Sequence, residues 1–167
     1  MNNIEGNCII VDRATFPKKL EALLEPDPKA FMAILFITIE SIAEGKFSKD
    51  EESELLSNGW DQFLQNFSLP CECLRAGWRE FWVLIEGDDR EKVVKAFKEI
   101  FAIWDKNSKP NLWHVCFTNF NEVQNRDTEA LQYFYTVAVN IVDYSTRNPP
   151  EKLFEVHIDS KSHTTIL

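Results

Sequence analysis

The spacing of apolar positions divides this chain into short strands and amphipathic helices. Cys8-Ile9-Ile10-Val11 predicts a short strand, and residues 16–24 place Leu20, Leu23 and Leu24 on one helical face before Glu25-Pro26-Asp27-Pro28. A nearly unbroken apolar run over 30–40 suits a central strand covered on both faces. Ser48-Lys49-Asp50-Glu51 fits a capping box, in which the serine caps the backbone and the glutamate reaches back. The helix it opens is expected to break or bend at Asn58-Gly59. Trp60, Phe63, Leu64 and Phe67 then recur at helical spacing, and Pro70 closes the segment.

Two strand-like runs, 71–75 and 81–86, flank Gly77 and predict a β-hairpin. Its tip, Ala76-Gly77-Trp78-Arg79-Glu80, sets an aromatic, a base and an acid on adjacent residues. Asp88-Asp89-Arg90-Glu91 opens a helix with Val93, Phe97, Ile100 and Trp104 as its buried stripe. Residues 112–120 read as a strand. Asp127 is placed to cap a long helix with Leu131, Phe134, Tyr135, Ala138, Ile141 and Val142 inward, stopped by Asn148-Pro149-Pro150. Residues 153–158 read as the last strand. The order implies an α+β fold, one central mixed β-sheet flanked by helices. It divides into an N-terminal strand and helix extension (1–29), a main domain (30–158) and a polar C-terminal tail (159–167).

Composition narrows the function classes. Apolar residues make up 44% of 167 residues, with 13 Phe and 5 Trp, enough for a proper core. Lys and Arg total 18 against 27 Asp and Glu, a net charge of −9. That balance argues against nucleic acid or an anionic membrane as a partner, since both need clustered positive charge, but it leaves room for one nucleotide. The first residues have neither the basic start nor the apolar run of a secretory signal, and the run near 31–39 is too short to span a bilayer. A cytoplasmic location is expected, and with it reduced, buried thiols at Cys8, Cys71, Cys73 and Cys116. Cys71 and Cys73 would share one strand face. Neither their spacing nor His114, His157 and His163 makes a ligand pattern, so no metal or cofactor is expected.

The segment Arg75-Ala76-Gly77-Trp78-Arg79-Glu80-Phe81 resembles the Arg-x-Gly-Gly-Asp-Glu-Phe signature of GGDEF diguanylate cyclase domains, keeping Arg75, Gly77, Glu80 and Phe81. Upstream, 35–42 resembles the family's first strand, usually Asp-Ile-Asp-x-Phe. Downstream, Val115-Cys116-Phe117-Thr118 lies where the family has Thr-x-Ser-Ile-Gly. The resemblance covers about 30–158 and implies a ferredoxin-like palm of the nucleotidyl-cyclase kind, with the signature on a hairpin tip.

It also implies which functional positions have changed. Joining two GTP molecules requires carboxylate-held metal ions. The first-strand metal Asp aligns with Thr38, a poor ligand, while Glu40 keeps a carboxylate two positions on. The signature Asp aligns with Arg79, which reverses the charge, and the second glycine with Trp78, whose indole would fill the space nucleotide needs. The guanine-contacting Asn aligns near Lys46; Asp61 matches the guanine-contacting Asp only if residues are inserted before it. The inhibitory Arg-x-x-Asp site would fall on Ser68-Leu69-Pro70-Cys71 and is absent.

The resemblance therefore implies an inactive, degenerate GGDEF-like domain that is not an enzyme. Its role would be protein interaction or regulation in bacterial cyclic di-GMP-type signalling, with another signalling protein as partner and a homodimer as a further expectation. Trp78 and Arg79 would form a binding tip, against the plainer reading that Trp78 folds onto Trp60 or Phe63. Glu80 would be a remnant metal ligand, against the plainer reading of an acid paired with Arg75 or Arg79. Two rival functions follow: a non-catalytic sensor of guanine nucleotide or cyclic di-GMP in a cleft near Thr38, Glu40 and Asp61, and an active nucleotidyl transferase using Glu40 and Glu80.

Overall fold

The computed structural model describes residues 3–5, 7–25, 29–37, 49–77, 80–107, 112–148, 151–159 and 164–167. Thr38, Glu40, Lys46, Ser48, Trp78 and Arg79 lie outside these described residues.

The strands are β1 (Asn3–Glu5), β2 (Cys8–Ile10), β3 (Ala30–Ile37), β4 (Cys71–Arg75), β5 (Glu80–Glu86), β6 (Trp113–Asn119), β7 (Leu153–Val156) and β8 (Thr164–Ile166). The helices are α1 (Phe16–Leu23), α2 (Lys49–Asn66), α3 (Arg90–Asn107) and α4 (Thr128–Arg147), with a 3-10 turn at Phe120–Glu122. All eight strands form one sheet, in the order β1-β2-β4-β5-β3-β6-β7-β8. It is mixed: β2 runs parallel to β4 and β6 to β7, and the other neighbours are antiparallel. Its middle, β4-β5-β3-β6 with α2 and α3 as crossovers, is the ferredoxin-like palm.

β3 is the axis. Every residue from Ala30 to Ile37 is buried, because β3 pairs with β5 on one side and β6 on the other and is covered on both faces. Period-two alternation sends Phe31, Ala33 and Leu35 into a core shared with α2 and α3, and Met32, Ile34 and Phe36 into one shared with α1 and α4. A fully buried strand has no polar face, so its sequence reads as a continuous apolar run.

Three local expectations need correction. α2 runs unbroken through Asn58 and Gly59. Gly59 is buried, and a Cβ there would overlap the indole ring of Trp113. Trp104 Nε1 donates to the Gly59 carbonyl at 2.9 Å, and its ring stacks on Trp113 at 4.9 Å. This glycine admits an indole against a helix instead of ending the helix.

The tail expected over 159–167 carries β8, whose β-branched residues Thr164, Thr165 and Ile166 pair antiparallel with β7. Tyr135 is 40% exposed, at the margin of the α4 stripe, where its ring leans on Trp82. The other α4 expectations agree: Asp127 accepts from the Ala130 amide at 2.9 Å, and Phe134, Ala138 and Ile141 are buried. On α3, Val93, Phe97, Ile100 and Trp104 are buried as their spacing predicts.

Candidate functional site

The hairpin forms where its sequence places it. β4 and β5 pair through Arg75 and Phe81, and the Ala76 and Gly77 amides donate to the Glu80 carbonyl at 2.9 and 3.1 Å. Two donors on one carbonyl draw the ends of the tip together. The base of the tip is anchored in the core by Phe81, 1% exposed, whose ring stacks on Trp60 at 4.5 Å and tilts against Trp113 at 5.5 Å.

The retained signature residues are engaged locally. Arg75 Nε donates to the Gly77 carbonyl at 3.2 Å, and its guanidinium carbon sits 5.7 Å from the Phe81 ring centroid. The Glu80 carboxylate accepts a hydrogen bond from Trp82 Nε1, two residues along the same strand face. Trp82 lies edge-on to Phe16 at 6.0 Å and against Tyr135 at 5.6 Å, so α1 and α4 both hold the indole that holds Glu80. The Arg13 guanidinium reaches the Ala76 carbonyl at 3.4 Å, adding a contact from the N-terminal segment.

Arg75, Gly77 and Glu80 are thus brought together at the hairpin. Asp61 is exposed on α2, beside the Trp60 that stacks on Phe81. Next to Glu80, between β3 and α4, is a cavity of about 30 Å³ lined by Ile34, Phe36, Tyr135 and Val139. That is room for a water or two. A larger cleft, about 310 Å³, lies at the opposite end of β4 and β5, lined by Lys19, Lys29, Pro70, Cys71, Glu72 and Glu86 among others. Its cations are committed: Lys19 pairs with Glu72 at 3.2 Å and Lys29 with Asp88 at 3.0 Å.

Two polar arrangements have no counterpart in the sequence reading. His114 is fully buried on β6 and stacks on Phe36 at 5.8 Å; burial, reinforced by the Lys152 charge, pushes its imidazole down to about 3. Glu155, its side chain 1% exposed, accepts from Arg90 Nε at 2.8 Å, and that hydrogen bond holds the guanidinium above its ordinary value. Glu122, Glu155 and His157 bring ligand-type atoms within 4.8 Å of one another. The Arg90 guanidinium supplies beside Glu155 the positive charge that a metal ion would bring. Contacts spanning 65 residues, such as Arg90 to Glu155, leave no periodic signal in a sequence.

A two-stranded signature hairpin inside a four-stranded palm, with helices on both faces and flanking strands in one sheet, is the architecture of GGDEF domains, and the chain has that fold. Among solved structures it is similar to Vibrio cholerae LapD S helix-GGDEF-EAL bound to c-di-GMP, with a TM-score of 0.67 and 17% identity over 93% of this chain and 36% of that one. It is similar to the GGDEF domain of DgcB from Caulobacter crescentus in complex with c-di-GMP, with a TM-score of 0.67 and 12% identity over 94% and 96% of the two chains. The FimX GGDEF domain from Pseudomonas aeruginosa gives a TM-score of 0.59 and 13% identity over 83% and 90%. The sequence matches no protein-family model and no curated protein. Among the described residues, no helix is long and apolar enough to cross a membrane.

Proposed function

We propose that this chain is a catalytically inactive GGDEF-like domain that acts as a protein-interaction or regulatory module in bacterial cyclic di-GMP-type signalling. The observation that carries this reading is the Glu80–Trp82 hydrogen bond. Glu80 is the acid retained from the signature, and its carboxylate is turned onto an indole packed between α1 and α4. A carboxylate hydrogen-bonded to a neutral indole donor is poorly set to share two metal ions with a triphosphate. The sequence supports the same conclusion, with Thr38, Trp78 and Arg79 where the family has an acid, a glycine and an acid.

A second reading, a non-catalytic sensor of guanine nucleotide or cyclic di-GMP, draws support from the DgcB GGDEF domain, solved in complex with c-di-GMP, and from the LapD S helix-GGDEF-EAL chain, which is bound to c-di-GMP. The fold alone does not exclude turnover, since the active GGEEF domain of a Vibrio cholerae diguanylate cyclase is also similar, with a TM-score of 0.53. Calorimetry separates the readings. Titration with GTP, GDP and cyclic di-GMP, each with magnesium, is expected to give no binding heat. Saturable heat with any of the three would move the assignment to the sensor. In the interaction reading, Trp78 and Arg79 contribute the recognition tip, and Trp78→Ala with Arg79→Ala leaves the melting temperature unchanged while abolishing partner binding.

A further inference from the structure

The N-terminal segment meets the signature hairpin through sulfur. β2 and β4 run parallel with Cys8 directly opposite Cys71, and Ile10 opposite Cys73. Neighbouring strands lie about 4.8 Å apart, inside the roughly 4.4–6.8 Å separation of α-carbons that a disulfide spans. The Cys8 and Cys71 sulfurs are 2.6 Å apart, with one thiol donating to the other. Cys73 also contacts both sulfurs, and its thiol donates to the Ile9 carbonyl at 3.6 Å. Cys116 belongs to the core on the opposite sheet face.

We propose that Cys8 and Cys71 form an oxidation site that closes into a disulfide under hydroperoxide, fastening the 1–29 segment to the first strand of the hairpin. The two sulfurs are already polarised for the reaction. The hydrogen bond with Cys71 lowers the Cys8 thiol, which lets the pair share a proton, while contacts with Cys73 and Cys8 push the Cys71 thiol up. Thiolate is the attacking form. Cys71, which lines the cleft, passes its proton to Cys8 across their contact, and its sulfur attacks one peroxide oxygen; the O–O bond breaks, releasing water once protonated and leaving a sulfenic acid on Cys71. Cys8 sulfur then attacks the Cys71 sulfur, the S–S bond forms and the S–O bond breaks. The hydroxyl leaves as a second water, taking up the Cys8 proton. Two thiols and one hydroperoxide thus give one disulfide and two waters (a water and an alcohol for an alkyl hydroperoxide).

The reagent has a route. Cys8 is sealed, but Cys71 lines the 310 Å³ cleft with Lys19 and Glu72, and a hydroperoxide is small enough to enter it. The bond would bridge 63 residues at the end of β4 away from the tip, where backbone bonds from Cys71 N to Asn7 O at 3.1 Å and Val11 N to Cys73 O at 2.9 Å flank it. Oxidation therefore converts a three-residue strand pairing into a covalent joint without moving either strand.

The test is peptide mapping of the native wild-type chain after hydrogen peroxide treatment, blocking remaining thiols and digesting without reduction. Cleavage after Arg13, Glu72 and Arg75 places Cys8, Cys71 and Cys73 on separate peptides. The expected product is one linked pair, Cys8 with Cys71, lighter than the two free peptides by two hydrogens, with Cys73 and Cys116 alkylated. The Cys73→Ser variant is expected to give the same link, and the oxidised wild type to melt higher than the reduced form. A Cys8–Cys73 or Cys71–Cys73 link, intermolecular linkage only, or four alkylated thiols after treatment would overturn the proposal.

Discussion

Glu80 and His114 illustrate how single residues in this molecule are fixed by an aromatic neighbour, Trp82 on the same strand for Glu80 and Phe36 on the adjacent strand for His114. The Glu80 carboxylate answers an indole, and the proposal of inactivity leans on that pairing. His114 is held neutral by burial, so its contribution to stability has a definite sign. The unfolded chain takes up a proton as pH falls through 6.5, while the folded chain resists until about 3. Within that window acid favours the unfolded state, by about 1.4 kcal/mol for each pH unit below the unfolded value. Near pH 5 the deficit amounts to about 2 kcal/mol. The His114→Phe variant, which keeps a ring against Phe36, should lose this part of the slope in denaturant titrations between pH 7 and pH 5; an unchanged slope would show that His114 does not set it. Gly77 and Glu80 stand out in the sequence as signature remnants, and the Glu80–Trp82 spacing of two puts both on one strand face, but a His114 stacked on Phe36 requires the fold to be known first.

At the scale of elements, the sequence is most readable where burial is simplest. Residues 30–37 announce a central strand because both faces are covered and no polar position interrupts them. α3 and α4 announce themselves through helical stripes and the Asp89 and Asp127 caps. α2 misleads because Asn58-Gly59 is weak helix sequence, and its reason for being there is the Trp113 indole on another element. That gives a prediction opposite to propensity. In an exposed helix, glycine to alanine gains up to about 1 kcal/mol. Gly59→Ala should instead destabilise by about 1–3 kcal/mol, the range for overpacking a filled core. Chemical denaturation measures it, and a stabilised variant would mean that Trp113 moves aside freely. β1 and β8 are similarly hidden, being three-residue strands on the two edges of the sheet, too short for a periodic signal and held by pairing with β2 and β7.

The molecule as a whole combines a cyclase-type scaffold with a signature whose described residues are engaged in holding the hairpin together. The order of elements was legible because βαββαβ patterning survives extensive substitution, and so was the hairpin, through Gly77 and the two apolar runs beside it. The assignment of inactivity rests on chemistry: a positive Arg79 and a bulky Trp78 where the family has an acid and a glycine, together with a Glu80 directed at Trp82. The most direct measurement is to incubate the purified protein with GTP and magnesium or manganese and to quantify cyclic di-GMP by mass spectrometry. The account predicts no product above a protein-free control. Cyclic di-GMP accumulating in proportion to enzyme concentration would contradict it.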